Sequence, residues 1–246
     1  MSDKPRIQSA ARAIEILRAV AASGVAGISA KQLADDLSLP RQVVYNLIHT
    51  LTAMQMLRKS STSRYMLGLG MAGLAQGFRR QLSGSDVLAQ LAEQAAMQTG
   101  ETSYVVGWLD EEIVVLASAH GSRAVHAAEI PVGTAGDAHA RASGKLLLAM
   151  RSPAEVSRYL LKHPMSARTP NTLVEPQDLA RAMQEIRKDW VSVDAEEYAI
   201  GLQCLAVPIG RPPTDWVLGL SAPSERLLQH RGAYLSALRG IAGTPS

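Results

Sequence analysis

The sequence predicts an α+β chain. A winged helix-turn-helix occupies residues 1–68, a linker helix 69–84, and a larger domain 85–246 carries a mainly antiparallel sheet flanked by helices. Three observations carry that prediction. Residues 29–67 hold two short helical patterns split by a tight break and followed by two strand-like runs. Basic residues concentrate in the first third of the chain. From residue 85 onward, strand runs arrive partly as hairpins, with helical segments between them.

Ile7–Ala22 carries Ile14, Leu17 and Ala21 on one helical face, with Ser9 placed to cap it and the Gly-containing stretch 23–27 to end it. Ser29 is placed to cap a second helix, in which Leu33, Ala34 and Leu37 recur at helical spacing. Ser38-Leu39 breaks that helix, and Pro40 falls where the first position of a third helix favours proline. There Val44, Leu47, Ile48 and Leu51 form an apolar stripe, which leaves Arg41, Gln42, Tyr45, Asn46 and His49 on the opposite side. A short helix, a turn and a helix with a polar face is the arrangement that reads the major groove of DNA. Leu57–Lys59 and Arg64–Leu67, split by a Ser/Thr tip, read as the two-stranded wing. Leu69–Leu82 is again helical. Its Met71, Leu74, Ala75 and Phe78 stripe serves either as a dimer seam or as packing on its own domain.

Charge divides in the same way. Residues 1–81 carry 11 Lys and Arg against four Asp and Glu, whereas the rest carries 14 against 18. A basic first third on a mildly acidic body suits one phosphate-binding module. No apolar run reaches membrane-spanning length, and the N-terminal helix is interrupted by Arg12, Glu15 and Arg18, unlike a secretion signal. The single cysteine, Cys204, excludes an intrachain disulfide and fits a reducing compartment, so a cytoplasmic protein is expected.

In the larger domain Asp86–Gln98 reads as a helix, Ser103–Leu109 and Ile113–Ser118 as a hairpin, and Ala124–Ile130 as a third strand. Gly144–Met150, Pro153–Leu161 and Pro176–Asp189 read as helices, Cys204–Ile209 and Val217–Ser221 as strands, and Ser224 to about Ile241 as a closing helix. On the third helix Arg41, Gln42, Tyr45 and Asn46 are the candidates for base contact. Arginine pairs with guanine through two bonds, and glutamine or asparagine does so with adenine. Arg58, Lys59 and Arg64 of the wing would neutralise phosphates or enter the minor groove. For Tyr45 and His49, packing at the domain surface is the competing reading.

The chain resembles the IclR family of bacterial transcription regulators, nearly end to end. The resemblance rests on the helix-turn-helix from Leu33-Ala34 to Leu51, Tyr65-x-Leu-Gly68, Gly100-Glu-Thr102, Pro131-Val-Gly133 and His139-x4-Gly144-Lys145-x-Leu-Leu148-Ala149. It continues through Thr169-x2-Thr172, Asp194-x-Glu-Glu197-x3-Gly201-Leu-x-Cys204-Leu-Ala206-x-Pro208 and Leu220-Ser221-x-Pro223. The resemblance implies a C-terminal effector-binding domain of GAF-like fold, dimers often paired into tetramers, and promoter DNA as partner. Gln42, Asn46 and Gln55-Met56 depart from the family's usual hydroxyl residue, arginine and Gly-Tyr, which bears on the operator sequence.

The resemblance also assigns effector contacts to Ala142, Ser143, Asp194, Cys204 and Ser221. Physically, the start of the Gly144 helix offers N–H groups to an anion, and Ser143 and Ser221 offer hydroxyls, which suits a small organic or aromatic carboxylate. Asp194 would repel such a ligand unless it accepts from a ligand hydroxyl. Arg141 is either a two-pronged partner for the carboxylate or a solvated surface arginine. Tyr104 and Trp108 alternate as strand residues of the core do. Among rival chemistries, Cys204 sits in an apolar strand and is expected to be inert. His120, His126 and His139 lack metal-ligand spacing. Asp194, Glu196 and Glu197 read more simply as an exposed acidic turn than as an acid–base cluster. No catalytic residue, metal or cofactor is expected. The alternatives are a constitutive DNA-binding protein whose second domain only oligomerises, and a small-molecule enzyme with a helical appendage.

Overall fold

The computed structural model describes residues 5–81, 85–124 and 132–243. The chain divides into two compact units, Met1–Ser83 and Gly84–Ser246.

The first unit runs α1 (Gln8–Ala22), α2 (Ala30–Asp36), α3 (Arg41–Ala53), β1 (Leu57–Lys59), β2 (Tyr65–Leu67) and α4 (Gly70–Gln81). Ser29 caps α2 in a reciprocal box, its hydroxyl accepting from the Gln32 N–H at 3.2 Å while Gln32 Oε1 accepts from the Ser29 N–H. The Ser9 cap is corrected: α1 begins at Gln8 after Ile7, and no side chain caps it. Pro40 likewise stands just outside α3, as the residue before Arg41. Ile16, Val20, Leu33, Ala34, Val44, Ile48, Leu51 and Leu57 form one buried core. Because Val44, Ile48 and Leu51 point into it, helical geometry turns the polar side of α3 outward. Leu74 and Phe78 of α4 are exposed.

The second unit comprises α5 (Ser85–Thr99), β3 (Thr102–Leu109), β4 (Glu112–Ala119), α6 (Ala142–Ala149), α7 (Pro153–Lys162) and α8 (Pro176–Asp189), then β5 (Ser192–Ala195), β6 (Leu202–Pro208), β7 (Trp216–Pro223) and α9 (Ser224–Ala242). Its five described strands pair antiparallel in the order β4-β3-β7-β6-β5. The segment 125–130, read as part of a strand, lies outside the described residues. Helix α6 starts two residues earlier than expected and is buried along its whole length, against β5, β6 and β7 and against α8. Helices α5 and α9 also pack on the sheet. Tyr104 and Val106 share a core with α6, α7 and α8, while Val105 between them is fully buried too. Burial of successive residues explains why β3, β6 and β7 read as unbroken apolar runs.

Two glycines are dictated by close approach. A Cβ on Gly144 would lie 2.4 Å from Ala138 Cα, so α6 could not seat against the short helix that precedes it. A Cβ on Gly219 would lie 2.6 Å from the Tyr104 ring, which fills the space above β7. Among the described residues no helix is long and apolar enough to cross a membrane.

Candidate functional site

The first unit presents a concave surface. Tyr45, Asn46, His49 and Thr52 of α3, with Lys59 and Tyr65 of the wing, line a hollow of about 410 Å³, floored by Ile48. Arg41, Gln42, Tyr45, Asn46 and His49 are all exposed, as are Arg58 and Lys59. The Gln42 amide donates to the Asn46 side-chain oxygen at 3.0 Å, a bond one helical turn long that orders the two amides together. Tyr45 is 52% exposed, so packing does not explain it. Arg64 differs from the other basic residues: its Nε donates to Ala26 O at 2.8 Å and its terminal nitrogen to Gly27 O at 2.8 Å. That guanidinium ties the wing to the turn after α1, aided by the Ile28–Tyr65 bridge. Arg64 is therefore a structural clasp rather than a free phosphate ligand.

In the second unit, strand register builds the site. Asp194 of β5 pairs with Cys204 of β6, Cys204 with Ser221 of β7, and Ser221 with Thr102 of β3. Residues directly opposite in a ladder share a face. These four therefore form one row across the sheet, on the Cys204 side that packs with α6. Cys204 Sγ and Ser221 Oγ are 3.0 Å apart, and the Tyr104 phenol lies within hydrogen-bonding reach of both. The expectation of an exposed acidic turn is overturned: Asp194 is fully buried and Glu197 nearly so. The missed element was β5, a four-residue strand whose only signal was alternating valines around Ser192.

Asp194 Oδ1 accepts from the Glu197 N–H at 2.7 Å and the Tyr198 N–H at 3.3 Å, while Oδ2 is buried without a hydrogen-bond partner among the described residues, the Cys204 thiol lying close to the carboxyl. Burial pushes its carboxyl up to about 6, against the pull of the Glu197 N–H. Glu197 is met by Lys145 of α6 in a buried ion pair. Burial pushes the Cys204 thiol up to about 12, with Asp194 adding to it, so no thiolate forms near neutrality. Ala142 and Ser143 open α6, whose preceding residue Arg141 provides no side-chain cap. Arginine carries no acceptor, so it caps none of the first-turn N–H groups. Arg141 is half-buried, and its guanidinium lies 4.2 Å from the Tyr198 ring centre, which corrects the solvated reading. Tyr104 is core, as expected. His139 is buried with Nε2 2.9 Å from Ser166 O, and His126 lies outside the described residues.

Residues 85–246 match the family model described as the bacterial transcriptional regulator IclR C-terminal domain, and residues 9–61 match the IclR helix-turn-helix domain. The chain is 28% identical over 237 residues to the HTH-type transcriptional regulator BhcR of Paracoccus denitrificans, covering 96% of this chain and 84% of that one. It superposes on an IclR transcriptional regulator from Alicyclobacillus acidocaldarius with a TM-score of 0.81 at 23% identity, covering 97% of each chain. It also superposes on an IclR homolog from Microbacterium hydrocarbonoxydans complexed with 4-hydroxybenzoate, with a TM-score of 0.74 at 18% identity over 96% of each. With one model spanning the whole second unit and another the helix-turn-helix, the chain belongs to the IclR family of transcription regulators, and is a regulator rather than an enzyme.

Proposed function

We propose that this regulator binds promoter DNA through α3 and the wing and responds to a small organic or aromatic carboxylate held in its C-terminal domain. The observation that carries the sensing half is the row Asp194–Cys204–Ser221. Three polar side chains are buried on one face of the sheet, beside a helix start without a side-chain cap, and one carboxylate oxygen has no hydrogen-bond partner among the described residues. A buried polar atom without a partner costs about 1–3 kcal/mol, a cost that a ligand hydroxyl donating to Asp194 would offset. Ala142 and Ser143 would supply N–H groups to the ligand's acid end, and Ser221 a hydroxyl. The 4-hydroxybenzoate held by the Microbacterium homolog is a ligand of that chemical class.

On the DNA side, Arg41, Gln42, Tyr45 and Asn46 are the base readers. His49, Arg58 and Lys59 flank them toward the backbone. Exposed Leu74 and Phe78 on α4 favour the dimer-seam reading of the linker helix, with a second copy of the chain as the occupant. The ligand acts by population shift, moving the equilibrium only by its differential affinity for two conformations.

The test is a thermal-shift screen of the full chain against aliphatic and aromatic carboxylates, followed by gel shifts on DNA fragments selected by the protein from random sequence. A ligand at about 100 times its Kd adds about 2.7 kcal/mol, which moves the melting temperature by several degrees. A stabilising acid that changes operator affinity supports the sensor. Operator affinity that is identical with and without every stabilising acid leaves a constitutive DNA-binding protein.

A further inference from the structure

Gln42 and Asn46 stand four residues apart on the exposed side of α3, so they are neighbours along one helical face. Their side chains are joined, the Gln42 Nε2–H donating to Asn46 Oδ1 at 3.0 Å. Thr50, one turn further on, offers no second partner, because its hydroxyl donates to the Asn46 main-chain carbonyl at 3.1 Å. The Val43 side chain carries no polar atom. Among the described residues the Asn46 amide therefore has Gln42 as its one side-chain partner, and its own NH2 group is left facing solvent.

A side-chain amide has two unlike ends, an oxygen that accepts and an NH2 that donates, and a half-turn about its last bond exchanges them. An unrestrained asparagine can offer either order to a base pair. Here the order is set, because the Gln42 NH2 can be met only by the oxygen. Asn46 Oδ1 is held toward Gln42, with one lone pair taken and one left for a base. An acceptor beside a donor matches the N6–H and N7 of adenine. Guanine presents two acceptors and would leave Oδ1 against a lone pair, while thymine offers an acceptor beside a methyl and cytosine a donor. Turning A·T into T·A reverses the order in which N6 and N7 are met, so a fixed amide also tells the two strands apart. In water a bond between two exposed side chains is weak. Against a base edge water is excluded, and a reversed amide leaves both its own ends and the base unmatched.

We infer that Gln42 and Asn46 read one adenine as a unit: Asn46 makes the two-bond contact, and Gln42 is the positioning residue that fixes which way its amide faces. The inference rests on the proposal that α3 reads bases and deepens it. It names the base and its strand sense at one operator position. It also makes the two residues non-additive, because removing either one loses the same contact.

The experiment is a set of competition gel shifts with the full chain on the DNA fragment it selects from random sequence, each position replaced in turn by the other three base pairs. Variants are Asn46→Ala, Gln42→Met, Gln42→Lys and the double Gln42→Met, Asn46→Ala. Both side chains are exposed, so all four should melt as the parent does. The position whose preference Asn46→Ala flattens is the one Asn46 reads. There the parent should prefer adenine at least about tenfold over every other pair, T·A included. Gln42→Met matches the length but donates nothing, and should flatten the same position to about twofold or less. Gln42→Lys keeps a donor at similar reach and should retain the preference. The double variant should be no flatter there than Asn46→Ala alone. A base other than adenine at that position, a preference untouched by Gln42→Met, or one lost equally in Gln42→Lys would overturn the inference. If Asn46→Ala and Gln42→Met flatten different positions, α3 stands as the reader and the coupling falls. If neither flattens any position, the coupling and the place of both residues among the base readers fall together.

Discussion

The two units place their candidate functional polar groups by opposite means. On α3, Arg41, Gln42, Tyr45, Asn46 and His49 are exposed because the other side of the helix is spent on the core. In the second unit Asp194 and Ser221 are buried, with Cys204 between them, because strand pairing draws them under α6. An exposed reading surface costs little to maintain and its residues tolerate change. A buried polar row must be matched group by group, and each mismatch carries several kcal/mol. The contrast suits the proposed function, in which the DNA face would meet a hydrated polyanion and the second unit would take a small molecule out of water.

The largest test of that contrast is Lys145→Ala, which strands Glu197 in the interior. It should cost about 3–5 kcal/mol in urea unfolding, and a Lys145→Met, Glu197→Leu pair should recover most of the loss. A cost under about 1 kcal/mol would mean that the pair is effectively solvated and the contrast overstated. Next is Asp194→Asn. The folded-state carboxyl, at about 6, stands above the unfolded value of 3.8. The folded chain therefore holds the proton longer, and Asp194 contributes stability below about pH 4 that is lost as pH rises through 6. The asparagine keeps the acceptor for the Glu197 N–H. It should thus exceed the parent by about 2–3 kcal/mol at pH 7, and the gain should vanish near pH 3.5.

Smaller effects belong to the exposed surface. Asn46→Ala should remove about 1–3 kcal/mol of discrimination among operators, in competition gel shifts, and leave nonspecific binding in place. Equal loss on every sequence would make it a backbone contact. Arg58→Ala should lower the slope of log affinity against log salt by about 0.9. Arg64→Ala should leave that slope unchanged and instead reduce the stability of the first unit by about 1 kcal/mol, since its donors are engaged with Ala26 and Gly27. A changed slope for Arg64→Ala would reverse its assignment as a clasp.

Much of the molecule was legible before the structure. The helices of the first unit and the α3 stripe follow from 3.6-residue periodicity and the Ser29 cap, and its hairpin from two short strand-like runs split by a Ser/Thr tip, all of them local signals. The hairpin β3–β4 and the strands β6 and β7 follow from apolar runs bounded by turns. The misses have physical causes. Ser9 lost the cap position because α1 begins one residue before it, and boundaries of this kind shift by a residue or two. β5 was missed because four residues are too short to show a period. Once β5 was absent from the reading, Asp194 and Glu197 looked like an acidic surface turn.

What the sequence determined alone was the order of the elements other than β5, the exposed face of α3 and the basic first third, since periodicity and charge are properties of neighbours along the chain. Only the tertiary structure decided that Asp194, Cys204 and Ser221 lie in one row, that Arg64 is tied to Gly27, and that Tyr159 ends in an unmatched hydroxyl. Those facts depend on register between strands and on contacts between residues far apart in the chain. A one-residue slip would turn each strand's polar residues to the other face, so their meeting is fixed by packing rather than by local pattern.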